Sequence, residues 1–546
     1  MAESIAAEDQ NASGEVEQVD ALIIGAGFTG LYQLHSLRDR LGMKALVLEA
    51  ADGVGGTWYW NRYPGARCDS ESHSYCYYFS KELLEEWQWS ERYPGQEEIR
   101  HYLNHVADRF DLRKDIRLSD RVVSARFDDA ATLWHVETEH GKRYAAPFLI
   151  TGVGCLSSAN LPDIPGLKDF KGDWYHTGEW PHEGVDFRGK RVGQIGTGST
   201  GIQAAPVIAE TAKHLTVFQR TANYSIPARN APLTDEFKRY LKTHRDEIHE
   251  VMVSTPNGHP FRIEDRLAAS VSEEERQAIY EEAWQKGGLR FRAVFKDMMV
   301  DKAANDTASD FIKAKIREIV KDPKTAELLS NLDHPFGTKR PPVDTDYFET
   351  FNRDNVTLVD IKSDPIERIT ATGIKTGKAH YDLDILVFAT GFDAITGPLL
   401  RLNITGKDGL ALRDAWAAGP KTYLGLQIAG FPNLFTVTGP GSPSVLTNMP
   451  VSIEQHVDWI TDCIARMRDE GKTRIEATEK AAEDWVIETN RAAEATLLPL
   501  ANSSWYLGAN VPGKPRVFMP YAGGLQHYRA RCNAVAEAGY EGFVLS

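Results

Sequence analysis

Short apolar runs and helically spaced apolar positions alternate along most of this chain. Ala21, Leu22, Ile23 and Ile24 form a run of the length expected for a strand buried on both faces. Behind it comes the turn Gly25-Ala-Gly27-Phe28-Thr-Gly30. Leu31, Leu34, Leu37 and Leu41 then recur at near-helical spacing, and Gly42 offers a stop. Residues 44–49 predict the next strand. The same layout returns at residues 191–195, with the turn Gly196-Thr197-Gly198-Ser199-Thr200-Gly201. A helix bearing Ile202, Ala205 and Ile208 follows, and then a strand at 215–218. From 230 to about 332 the texture changes to charged, helically periodic segments at 236–251, 272–286 and 308–321, whose charges read as solvated faces. Residues 384–390 supply one more apolar strand.

Two βαβ units each carry G-x-G-x-x-G at the first turn. The first glycine permits the tight turn, the second lets the backbone approach a pyrophosphate, and the third lets helix and strand pack closely. The phosphates would sit at the helix start, where free N–H groups and the dipole favour negative charge. A glycine-rich turn alone also occurs for structural reasons; here both copies stand between a strand and a helix. Glu49 lies 24 positions after Gly25, and Arg220 lies 24 positions after Gly196. An acid at that place hydrogen-bonds a free ribose hydroxyl, whereas an arginine accommodates a 2′-phosphate. The first site therefore suits FAD or NAD and the second NADPH. A tightly held flavin beside a site for a diffusible hydride donor describes an oxidoreductase.

The 546 residues suggest about three or four domains. The expected fold is α/β, with two Rossmann-like dinucleotide-binding domains and a helical insertion. The FAD-binding domain covers 1–150 and 390–546, with 1–18 as an unstructured acidic arm. The NADP-binding domain covers 151–228 and 333–389, and the insertion 229–332. A formal charge of −15 argues against nucleic acid and anionic membranes as partners. No run of about 18 apolar residues predicts a membrane span. The start has neither the basic beginning nor the apolar centre of a secretory signal. Five cysteines without a C-x-x-C pair argue against a disulfide framework, a zinc ribbon and a dithiol redox centre, and a reducing cytoplasm is the simplest compartment; no metal site is expected.

Phe170-Lys-Gly172-Asp-Trp-Tyr-His176-Thr-Gly-Glu-Trp180-Pro181 fits F-x-G-x-x-x-H-x-x-x-W-P. Six fixed positions at about one in twenty each make a chance match on the order of 10⁻⁸ per start point. Gly55-Gly56-Thr57-Trp58, Tyr63-Pro64-Gly65 with Asp69, and Ala389-Thr390-Gly391 accompany it. On these motifs the chain resembles the type I Baeyer–Villiger monooxygenases from about Val19 to its end. It is nearer to the branch acting on aryl ketones and steroids than to the branch acting on cyclohexanone.

The resemblance implies that NADPH reduces FAD, that O2 adds to form a flavin C4a-peroxide, and that a ketone becomes an ester or lactone. It implies a catalytic Arg340, oriented by Asp69; an arginine keeps its charge at working pH. Phe28, Gly56, Thr57, Trp58 and Tyr75 would meet the flavin nucleotide. Thr197, Ser199, Thr200, Arg220, Thr221 and Lys339 would meet NADPH, with Trp505 packed on the nicotinamide half. Cys155, Leu156, Ser444, Val445 and Leu446 would line the substrate pocket. The fingerprint residues Phe170, Gly172, His176, Trp180 and Pro181 would organise a linker between the nucleotide domains, with His176 as structural as it is dynamic. Cys155 has no base beside it and is read as a wall residue. The partners implied are a small ketone and O2, with a monomer or weak homo-oligomer as the working unit. An N- or S-oxygenating relative, a plain NADPH oxidase and a non-enzymatic NADPH sensor are the alternatives.

Overall fold

The computed structural model describes residues 16–546, and two five-stranded, wholly parallel sheets form its frame. The first runs Leu434–Thr436, Phe148–Thr151, Ala21–Ile24, Ala45–Leu48, Ile116–Arg117 across the sheet. The second runs Val356–Asp360, His214–Gln219, Arg191–Ile195, Ile385–Phe388, Asp173–His176. Parallel strands have covering elements on both faces, which is why Ala21–Ile24, Ala45–Leu48 and Ile385–Phe388 are apolar and buried throughout. The chain leaves the first sheet after Thr151, builds the second, and returns to the first at Leu434. Both nucleotide units are thereby closed by strands from distant sequence.

A third, mixed sheet was not anticipated. It runs Val16–Gln18, Arg143–Ala146, Leu133–Thr138, Val122–Asp128, Ile404–Thr405. Its alternation is visible in Leu133–Thr138 but interrupted in Val122–Asp128, where the pairing slips between Val122 and Ser124. Val16–Gln18 belongs to this sheet, paired with Arg143–Ala145, instead of to the unstructured arm expected over 1–18. Backbone pairing and the Lys44 ammonium on the Gln18 carbonyl hold it. Residues 1–15 of that arm lie outside the described residues.

Helices Asp235–Ser254, Glu273–Lys286, Lys302–Ile319 and Pro323–Ser330 fill the inserted region. Each is capped by the side chain just before it: Thr234, Ser272, Asp301 and Asp322 accept the N–H of Phe237, Glu275, Ala304 and Thr325. The Asp301 cap starts the third helix six residues before the expected 308. Tyr280, Trp284, Phe291, Phe311 and Ile312 pack in one core with Ile202 and Val217 of the second nucleotide unit. The fingerprint is also more than a linker. Asp173–His176 is an edge strand of the second sheet, with His176 opposite Phe388.

One buried acid ties the first nucleotide unit to helix Met449–Asp469. Glu454 accepts the backbone N–H of Tyr78 at 2.7 Å and of Phe79 at 2.9 Å. Burial, with Asp458 nearby, raises its carboxyl to about 8, so it is protonated at neutral pH. A folded-state pKa above the unfolded one contributes stability that is complete below the ordinary carboxylate range and is lost as pH rises through about 8. The melting temperature is expected to fall between pH 7 and pH 9. Glu454→Gln, a neutral acceptor, should flatten that slope, and a variant with the wild-type slope would contradict the assignment.

Candidate active site

Gly25 to Gly30 forms the first turn as expected. Gly25 N–H donates to Leu48 O at 2.8 Å, and a Cβ on Gly30 would fall 1.8 Å from Gly25 O. Helix Phe28–His35 starts at Gly27 with no side-chain cap, leaving its first N–H groups for an anion. Glu49 is buried, and its two oxygens accept the N–H of Ala26 at 2.6 Å and of Ala51 at 2.8 Å. Burial raises its carboxyl against those two bonds. The acid thus stands at the turn where a ribose would lie. Beside it Phe28, Trp58 and Tyr75 form one aromatic group: Phe28 meets Tyr75 edge-on at 5.3 Å, and Trp58 Nε1 donates to the Tyr75 hydroxyl at 3.2 Å. Gly56 precedes the short helix Thr57–Trp60, and Thr57 is exposed at its start.

The second turn repeats the design. Gly196 N–H donates to Phe218 O at 3.1 Å, and a Cβ on Gly201 would fall 2.4 Å from Gly196 O. Gln194, which sequence reasoning passed over, supports the turn from below by donating to both Gly196 O and Gly201 O at 3.1 Å. Helix Ser199–Thr211 begins at Gly198 without a side-chain cap. Thr197 Oγ1 donates to Thr221 O at 2.8 Å. Thr200, expected to face phosphate, shares a hydrogen bond with Thr177 of the fingerprint at 3.0 Å. Arg220 is exposed; burial holds Lys339 below the usual lysine pKa, with the charges of Arg220 and Lys362 adding to it although Asp333 pulls the other way. Two cations that repel across a gap suit a 2′-phosphate. Both cradles therefore fit a dinucleotide, the first with an acid at the ribose position and the second with two cations.

The segment after Gly55 joins the two cradles. A Cβ on Gly65 would fall 2.4 Å from Gln203 O on the second nucleotide helix. Tyr63 donates to Gln203 Oε1 at 2.7 Å, and Gln203 Nε2 donates to Arg67 O at 3.1 Å. Asp69 follows at the end of this bridge. Arg340 Nε lies 3.4 Å from Asp69 Oδ2, Arg340 Nη1 donates to Val445 O at 3.2 Å, and Asp69 Oδ1 accepts Val343 N–H at 3.2 Å. The arginine side chain is 25% exposed and the aspartate 10%, so the pair is largely withdrawn from solvent. Burial opposes the charge of Arg340, yet Asp69 keeps it firmly protonated. Arg340 itself is placed from behind. Asn305 accepts Phe336 N–H and donates to Phe336 O, both at 2.8 Å, and Pro341 and Pro342 stiffen the backbone on the far side of the arginine.

Cys155, Val445, Ala394, Ile395, Tyr506, Phe518 and Met519 form one apolar cluster, against which Leu156, Leu446, Met299 and Trp505 pack. Burial pushes the Cys155 thiol up to about 11, which agrees with an inert wall residue. Ser444–Leu446 is a turn of 3-10 helix, with Ser444 at φ 40°. The insertion clamps this loop: Asn257 Nδ2 donates to Leu446 O at 2.9 Å, and Asn448 N–H donates to Asn257 O at 2.8 Å. His176 lies elsewhere. Its Nδ1 accepts Gly178 N–H at 3.0 Å, its ring meets Phe392 edge-on, and burial lowers its pKa. Trp180 packs on Tyr175 and Phe187. Between the charged helices of the insertion, Arg290 and Arg292 are half-buried. Arg290 shares Glu71 with Arg92, and despite burial the surrounding His73, Arg290 and Arg92 hold Glu71 at about 2. The paired glycines Gly287-Gly288 ahead of Leu-Arg-Phe-Arg were the signal that the chain turns inward there.

Residues 19–231 match the family described as flavin-binding monooxygenase-like. Cyclohexanone 1,2-monooxygenase of an Acinetobacter species is 46% identical over 527 residues, 96% of each chain. Phenazine N-monooxygenase of Lysobacter antibioticus is 44% identical, over 96% of this chain and 97% of its own. The solved structure of an oxidised steroid monooxygenase bound to NADP is 54% identical and superposes with a TM-score of 0.92, over 97% of this chain and 99% of that one. This chain belongs to the Baeyer–Villiger monooxygenase family. The N-oxygenating relative shows that likeness alone does not choose between carbon and nitrogen, so the decision falls to the groups around Arg340. Among the described residues no helix is long and apolar enough to cross a membrane.

NADPH should be strongly preferred over NADH. Each charge-assisted contact to phosphate is worth roughly 1.5–3 kcal/mol, and two cations are in place. Arg220→Ala should raise KM for NADPH at least tenfold and leave that for NADH nearly unchanged. Equal kcat/KM for the two donors in the wild type would remove the argument.

Proposed function

We propose that this chain is an NADPH- and FAD-dependent monooxygenase that converts a ketone, O2, NADPH and a proton into an ester or lactone, NADP+ and water. The observation that carries this reading is a permanent cation, Arg340, fixed by Asp69 and the Val445 carbonyl at the apolar pocket. Bound FAD supplies the chemistry of accepting a hydride and activating O2. The chain supplies everything else. Glu49 holds the flavin ribose, while Gly25, Gly27 and Gly30 bring the backbone to its pyrophosphate. Phe28, Thr57, Trp58 and Tyr75 shape the path to its ring. Gly196, Gly198 and Gly201, with Thr197, Ser199, Thr200 and Thr221, seat the pyrophosphate of NADPH, and Arg220 and Lys339 grip its 2′-phosphate. Trp505 packs on the nicotinamide half.

Arg340 stabilises the negative charge that gathers on oxygen as the atom is inserted beside the carbonyl, a preorganised electrostatic role. Asp69 is its positioning residue. Cys155, Leu156, Ser444, Val445 and Leu446 exclude water and hold the ketone. The fingerprint residues Phe170, Gly172, His176, Trp180 and Pro181 tie the edge strand to the second turn through the Thr177–Thr200 bond. The FAD-binding domain is assigned to 1–150 and 390–546, the NADP-binding domain to 151–228 and 333–389, and the insertion to 229–332. Cys68, Cys76, Cys155, Cys463 and Cys532 are buried and unbridged, which suits a reducing cytoplasm.

A panel of ketones incubated with NADPH and O2 tests this reading, with esters identified by mass spectrometry. Arg340→Ala should lower ester formation by at least a hundredfold while NADPH still bleaches the flavin in anaerobic rapid mixing. Substantial ester from that variant would defeat the role given to Arg340. N- or S-oxides without esters would favour the nitrogen- and sulfur-oxygenating branch.

A further inference from the structure

Arg340, Arg292 and Arg290 gather around His259, Arg92 joins Arg290 at Glu71, and three of the four are paired. Arg340 has Asp69, and Arg92 and Arg290 have Glu71. Arg292, on the 3-10 segment Leu289–Ala293, is left over. Among the described residues its Nε is sealed from solvent with no acceptor facing it. Burial lowers its pKa, against Tyr506 and with the like charge of Arg340. The nearby His259 offers no negative charge; burial, with the charges of Arg340 and Arg292, keeps it neutral, with a pKa down at about 3.

The place of Arg292 is set by Gly337, three residues before Arg340. A Cβ on Gly337 would lie 3.5 Å from Arg292 Nε and 2.7 Å from Met299 Sδ. Met299 in turn packs on the apolar cluster of Cys155, Val445, Tyr506 and Phe518. Arg292 is therefore one guanidinium at the margin of an otherwise greasy wall. Only the Nε is sealed; the residue as a whole is half-buried, so an anion can reach the open side of the guanidinium and relieve a cation that has no partner of its own. The dinucleotide phosphates have their own places, at the uncapped helix starts after Gly27 and Gly198 and at Arg220 with Lys339. The remaining anion is on the substrate, and a planar carboxylate fits the guanidinium fork.

We propose that Arg292 is a specificity-determining residue that receives the carboxylate of a keto acid, whose ketone lies at Arg340 and whose apolar spacer lies along the Met299 and Tyr506 wall. The inference rests on the ketone-oxygenating function above. Its test compares oxo acids, from 4-oxopentanoate to 9-oxodecanoate, with their methyl esters, which keep the ketone and spacer and lose the charge. At one spacer length or more the acid should exceed its methyl ester at least tenfold in kcat/KM, chiefly through KM. Titrating the oxidised holoenzyme and following the flavin absorption change should give the same order in Kd. At that length Arg292→Met should reduce the acid-to-ester ratio to one or below, and Arg292→Lys should recover part of it, with flavin content reporting that both variants fold. Methyl esters matching their acids at every length would overturn the proposal. So would a preference that survives Arg292→Met, or a variant that instead raises KM for NADPH and leaves the ratio alone. Failure to oxygenate any ketone, charged or neutral, would strike the function itself, whereas indifferent oxygenation of both kinds would strike only Arg292.

Discussion

A guanidinium held between a carboxylate and a carbonyl organises the centre of this molecule. Arg340 meets Asp69 on one side and Val445 on the other, and these three residues come from three remote stretches of chain. Asp69 ends the bridge that Tyr63, Gly65 and Arg67 build onto the second nucleotide helix. Val445 lies in the loop that Asn257 clamps. Arg340 follows the Phe336 backbone that Asn305 grips in both directions. The ion pair thus reads out the relative position of the first cradle, the second cradle and the helical insertion at once.

That arrangement explains why the insertion is more than a cover. Its apolar faces complete the core of the second nucleotide unit through Tyr280, Trp284 and Phe311. Its polar groups reach further: Asn305 holds the segment leading to Arg340, Asn257 the loop of Val445, and Arg290 the Glu71 cluster. The local rules of capping and periodicity decide that helices form here. The buried hydrogen bonds decide which way they face.

The two nucleotide cradles were legible because their physics is local. A strand, three glycines, a helix and one residue 24 positions on are all within a single βαβ unit, and each stands where the pattern put it. The edge strand Asp173–His176 was not legible, because its partner Ile385–Phe388 lies more than 200 residues away and only the sheet makes it a strand. The third sheet was hidden for the same reason and by the slip in Val122–Asp128. The Asp69–Arg340 pair spans 271 positions, and it was reached through the family resemblance, not through any spacing. Arg292 was missed because a cation in a charged segment looks like every other surface cation until burial and pairing can be seen.

If Asp69 serves catalysis by fixing a cation at the pocket, the tightest measurement is the amount of ester formed per NADPH consumed by Asp69→Asn. This substitution keeps the shape of the side chain and removes only its charge. The flavin should still be bound and still be reduced by NADPH at close to the wild-type rate, while ester formed per NADPH falls severalfold. A variant that makes as much ester per NADPH as the wild type would contradict that role.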